Sequence, residues 1–89
     1  MANRINREAA LLVAEGRGYA GWAYLSDIAA ELGMPTSDLH LELHSLMAKQ
    51  EVELVRADLT AALDKAKIRA SEWQHPMLRS AVYHGVRPR

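Results

Sequence analysis

Apolar side chains recur on a helical period along this chain, and residues that stop helices mark the breaks. Ile5, Ala9, Leu12, Val13 and Gly16 lie at i, i+4, i+7, i+8 and i+11, one stripe of an amphipathic helix over residues 3–16 that Asn3 or Asn6 caps. Arg17, Gly18 and Gly21 end it, and residues 23–25 read as a short extended piece. A second helix starts at Ser26 or Asp27, both good N-caps, turns Ile28, Ala29 and Leu32 inward and closes at Gly33. Pro35 holds Met34 extended. Thr36 or Ser37 then caps a third helix, whose Leu39, Leu43, Leu46 and Met47 form another stripe. Residues 26–49 therefore read as a helix-turn-helix.

Residues 36–75 contain neither Gly nor Pro, but one long coiled-coil helix fails on its heptads. Seven places beyond Leu43 and Leu46 stand Gln50 and Glu53. Gln50-Glu51 reads instead as a turn, and the alternation that starts at Val52 reads as a short strand. Asp58 can cap a further helix with Leu59, Ala62, Leu63 and Ala66 on one side, a stripe that Ala70 and Trp73 extend until His75-Pro76 breaks it. Residues 80–86, with Val82, Tyr83 and Val86, read as a closing strand. The expected fold is α+β and winged-helix-like: three N-terminal helices and a small antiparallel sheet with a helical insertion in the wing. It is expected to form one domain over residues 1–89, with the strand, insertion and strand over 52–86.

The run from Leu25 through Asp27-Ile-Ala-Ala-Glu-Leu-Gly-Met-Pro-Thr-Ser-Asp-Leu39, continued by Leu43, Leu46 and Val52-Glu-Leu, resembles bacterial winged-helix regulators. The resemblance spans about residues 5–56 plus the last strand. Gln50-Glu51 stands where that family usually has a Gly, and the connection over 56–80 is longer than a simple wing. Arg56-Ala-Asp-Leu, Ser71-Glu and Tyr83-His are also similar to small uncharacterised proteins of bacterial mobile elements, a likeness that carries no known activity. The winged-helix resemblance implies a third helix in the major groove of double-stranded DNA and a small regulator, of transcription or of a mobile element, working as a dimer. Ser37, His40, His44 and Lys49 are then the groove-facing set, and Lys65, Lys67, Arg69 and Arg79 hold phosphates.

Charge complicates that expectation. Eleven Lys and Arg balance eleven Asp and Glu over 89 residues, a net of +0 that removes the self-repulsion keeping small proteins apart. Residues 24–54 set Lys49 alone against Asp27, Glu31, Asp38, Glu42, Glu51 and Glu53, a net of −5. Residues 55–89 carry seven cations against Asp58, Asp64 and Glu72, a net of +4, and residues 1–23 add +1. An acidic third helix is repelled by phosphates, which need Lys and Arg along the backbone. The alternative is a winged-helix adaptor or assembly module that has lost DNA binding. Its surface for a protein partner is the acidic third helix or the apolar stripe over 59–66, which otherwise packs on the domain's own core. Opposite charges on the two halves also suit pairing with a second copy.

The remaining composition removes whole classes of chemistry. With Cys 0 there is no disulfide framework, Cys-ligated zinc site, iron–sulfur cluster or thiol catalysis. His40 and His44 are spaced to share one face of a helix, but no further ligand follows at helical spacing, so surface histidines or polar contacts to a partner are the expected roles. Carboxylates are scattered singly and no Gly-rich phosphate loop is present, so neither catalysis nor a cofactor is expected. Trp22 and Trp73 either anchor the core or stack on bases. The apolar run over 9–14 lies between Glu8 and Glu15 and is shorter than a secretory or spanning segment. A cytoplasmic protein with no membrane contact is the expectation.

Overall fold

Helix α1 (Arg4–Ala14) begins where Asn3 accepts a hydrogen bond from the Asn6 backbone N–H at 2.9 Å, a local side-chain cap. The computed structural model describes residues 3–18, 21–56, 65–74 and 82–88. After α1 come β1 (Ala23–Tyr24), α2 (Leu25–Leu32), α3 (Thr36–Ala48), β2 (Glu53–Val55), α4 (Lys65–Ser71), β3 (Trp73–Gln74), β4 (Val82–Tyr83) and β5 (Gly85–Arg87). The architecture is α+β and winged-helix-like. Three helices pack beside an antiparallel sheet of order β1-β5-β2, and α4 with the β3–β4 ribbon lies in the connection between β2 and β5.

The core follows the apolar stripes. Ile5, Ala9 and Leu12 of α1, Leu25, Ile28 and Ala29 of α2, and Leu39 and Leu43 of α3 close around Ala23, Val52 and Val86. A second cluster of Trp22, Tyr24 and Ile68 lies where α4 meets β1. Trp22 and Trp73 are both buried, which puts both indoles in the core. Gly85 sits directly under the Trp22 ring, where an added Cβ would fall 2.1 Å from the indole and 2.6 Å from the Ala23 carbonyl oxygen.

All three N-terminal helices stop in the same way. Each ends on a left-handed residue, at Gly16 (φ 75), Gly33 (φ 67) and Gln50 (φ 58). The next N–H in each case donates to a carbonyl five residues back: Arg17 to Leu12, Met34 to Ala29 and Glu51 to Leu46. Gln50 adopts this conformation with a Cβ, at a cost of about 1–2 kcal/mol. The turn is clamped from outside, because the side-chain amides of Asn3 and Asn6 both donate to the Glu51 carbonyl, at 3.0 and 2.8 Å. The expected turn at Gln50-Glu51 is therefore present, with α1 in place of the glycine.

Several local expectations are corrected. Neither Ser26 nor Asp27 caps α2, and neither Thr36 nor Ser37 caps α3: Tyr24 and Pro35 occupy the cap positions without a side-chain bond. The cap of α2 comes instead from 45 residues away, where the buried Ser71 hydroxyl accepts from the Ser26 N–H and donates to Ser26 Oγ, both at 3.0 Å. Helix α4 buries Ile68 and Ser71, whereas Ala66 and Ala70 are exposed, and Trp73 belongs to a strand rather than the helix. Asp58, Leu59, Ala62 and Leu63 lie outside the described residues. The single closing strand is two: β4 pairs with β3, and after it the His84 N–H donates to Val55 while its carbonyl accepts from Leu25, carrying the chain into the main sheet.

Removing the distant cap leaves the part-buried N–H and hydroxyl of Ser26 without their partner. Ser71→Ala is expected to lower unfolding stability by about 1–2 kcal/mol in a urea titration, and no change in midpoint would contradict this role of Ser71.

Candidate nucleic-acid interface

The solvent-facing side of α3 follows from which of its residues enter the core. With Leu39 and Leu43 fully buried and Leu46 and Met47 packed against the core, the exposed stripe is Ser37, Asp38, Leu41, His44, Ser45 and Ala48, with Lys49 following as the C-cap. Leu41 is the most exposed large apolar side chain among the described residues, at 75% against 48% for Leu11. It lies two places off the apolar stripe, which was the sequence signal for an outward leucine.

His40 does not join that face. Its ring lies 6.0 Å from Trp73, tilted by 33°, and Trp73 stands 6.0 Å from Tyr83, so α3 touches the β3–β4 ribbon through a row of three rings. The His40 Nε2 is buried without a hydrogen-bond partner among the described residues, and burial pulls its pKa below the ordinary histidine value. The expectation of a groove-facing His40 is corrected accordingly: its off-stripe position is filled by an aromatic residue brought from the wing. His44, four residues on, is exposed, so the two histidines point to different surroundings. Among the described residues no three His, Asp or Glu side chains gather as metal ligands.

The acidic helix-turn-helix segment is largely neutralised by cations from outside it. Arg4 of α1 grips Glu42 of α3 with both ends of its guanidinium, Nε to Oε1 at 3.0 Å and Nη2 to Oε2 at 2.7 Å. That hydrogen bonding and the Glu42 charge raise the Arg4 pKa further. Arg17 pairs with Glu31, Lys67 with Asp27 at 3.0 Å, and Arg87 with Glu53 at 3.3 Å across the β5–β2 register. Four of the six carboxylates over 24–54 are thus ion-paired within the chain, leaving Asp38 and Glu51. Pairs at the surface add little stability, but these cancel the field the segment would otherwise project.

The basic residues divide. Lys67 is committed to Asp27 and sits 5.5 Å from the centre of the Tyr24 ring, so it braces α4 against α2 and β1 rather than facing outward freely. Lys65 and Arg69 are exposed, form no ion pair among the described residues, and line one groove with Ile68 and Glu72. Lys49 and Arg56, at the ends of α3 and β2, are likewise exposed and uncommitted. Nothing in the sequence around Arg56 singles it out, since its lack of an ion pair shows only once the other pairs are drawn. Arg79 lies outside the described residues, as does the 59–66 stripe except for the exposed Ala66.

Protonating His40 requires charging a nitrogen held away from water. A histidine with a depressed folded pKa contributes stability that is present above its unfolded value and lost as pH falls through that value toward the folded one. Thermal unfolding is therefore expected to be level above about pH 7 and to weaken below about pH 6.5, with His40→Phe reducing the acid-side slope. An unchanged slope would place the effect elsewhere.

No helix among the described residues is long and apolar enough to cross a membrane. No family model, curated protein or solved structure matches the chain.

Proposed function

We propose that this protein is a small regulator that binds double-stranded DNA, laying the exposed face of α3 into the major groove. The observation that supports this reading is the internal pairing of Glu42, Glu31, Asp27 and Glu53. It removes most of the repulsion that the acidic segment would exert on phosphates, while Lys49, Arg56, Lys65 and Arg69 remain uncommitted. Phosphate contacts from such cations supply the sequence-independent affinity, and the helix face supplies the contacts to base edges. Ser37, Asp38, His44, Ser45 and Lys49 form the polar part of that face, and His40 supports it from behind.

A second reading, a winged-helix-like adaptor for a protein partner, is favoured by Leu41, an exposed leucine in the middle of the same face. One exposed leucine is ordinary on a protein surface, whereas the unpaired cations on α4 and directly after α3 and β2 suit an anionic partner. The regulator reading is therefore preferred.

Lys65 and Arg69 can be neutralised without disturbing the Lys67–Asp27 pair. The double variant Lys65→Ala, Arg69→Ala is expected to bind every duplex more weakly and to reduce the slope of log affinity against log salt by about 2, with its circular dichroism unchanged. Equal affinity and slope in the variant would remove α4 from the interface.

A further inference from the structure

Within α3 the exposed face carries Ser37, Asp38, Leu41, His44, Ser45 and Ala48, and no Arg, Lys, Asn or Gln. Arg and Lys are the usual side chains for the guanine O6 and N7 acceptors, and Asn and Gln for the paired donor and acceptor of adenine. Those readers are missing from the part of the helix that would lie deepest. Serine accepts either partner and so discriminates little. Of the rest, His44 offers a donor to purine acceptors and Ala48 a single methyl, so Asp38 and Leu41 are the pair with chemistry selective for pyrimidines. A carboxylate accepts from the cytosine N4 amine and repels the purine acceptors beside it, while an apolar side chain gains only from covering the thymine methyl.

Asp38 and Leu41 are three residues apart on the same exposed stripe, a rise of about 4.5 Å along the helix, which is comparable to the step between successive base pairs. Leu41 is also placed to do this without reorganisation: it is 75% exposed, so covering it removes apolar surface from water that the fold leaves uncovered. Lys49, exposed and without an ion pair, directly follows the helix, where it can meet a phosphate beside this face.

We infer that Leu41 is the specificity-determining residue of the α3 face, covering a thymine methyl group, with Asp38 accepting from a neighbouring cytosine amine. This rests on the DNA-binding reading above and names the bases that reading leaves open. Because Asp38 repels phosphate and purine acceptors alike, selection by rejection is part of the same device.

The test selects duplexes from a pool with a randomised centre on the full chain, then replaces thymine by deoxyuridine in the enriched duplex, which removes only the C5 methyl. Enrichment of thymine beside cytosine is expected, and the loss of one methyl at the reading position weakens binding about fourfold. Leu41→Ala, at a position too exposed to threaten folding, is expected to bind the thymine duplex several-fold more weakly and to treat thymine and uracil alike, the coupling a double-mutant cycle detects. An enriched duplex that tolerates uracil, with Leu41→Ala binding as the parent does, overturns the assignment of Leu41 and leaves DNA binding standing. Failure of the protein to retain any duplex overturns both, and assigns the leucine-centred face to a protein partner.

Discussion

Helix α2 has only eight residues, too few to hold a helix in water by itself, and the rest of the molecule is organised by the need to cover it. Leu25, Ile28 and Ala29 bury its inner face among α1, α3 and β1. Its outer side is held by groups that arrive from far along the chain. Ser71 of α4 caps its first turn, Lys67 of α4 meets Asp27, and Arg17 beyond α1 meets Glu31. The wing insertion is therefore a third wall of the helix-turn-helix as well as a connection between strands.

The same contacts set the electrostatics. A cation that braces α2 or α3 also cancels a carboxylate there, and Arg4 on Glu42 does this for the helix that faces outward. Charge that is segregated along the sequence becomes paired in space, so part of the complementarity that suggested pairing between two copies closes within one. The described cations without an ion pair are Arg7, Lys49, Arg56, Lys65 and Arg69, and the local positive charge of Lys65 and Arg69 on α4, with Lys49 and Arg56 after α3 and β2, is the basis for proposing an anionic partner.

The sequence was legible wherever a feature depends on its own neighbours. The stripes of α1 and α3, the stop at Gly33, the turn at Gln50-Glu51 and the strand after it are local, and periodicity or backbone preference finds them. Features set by distant groups were not legible. Ser26 and Asp27 look like caps, but Ser71 makes the bond. Gln50 takes a left-handed conformation because Asn3 and Asn6 hold the Glu51 carbonyl beside it. His40 turns inward because Trp73 returns to meet it. Of the eight proposed DNA contacts, Ser37, His44, Lys49, Lys65 and Arg69 are exposed as expected, His40 and Lys67 are engaged within the fold, and Arg79 lies outside the described residues.

The central claim is that Lys49, Arg56, Lys65 and Arg69, which no ion pair engages, attract the DNA backbone locally in a protein of zero formal charge. Fluorescence anisotropy of a random duplex, titrated with the protein at several salt concentrations, tests this most directly. The account predicts binding in the micromolar range at about 50 mM salt and a steep, log-linear loss of affinity as salt rises. Absence of binding under those conditions, or binding indifferent to salt, would contradict it.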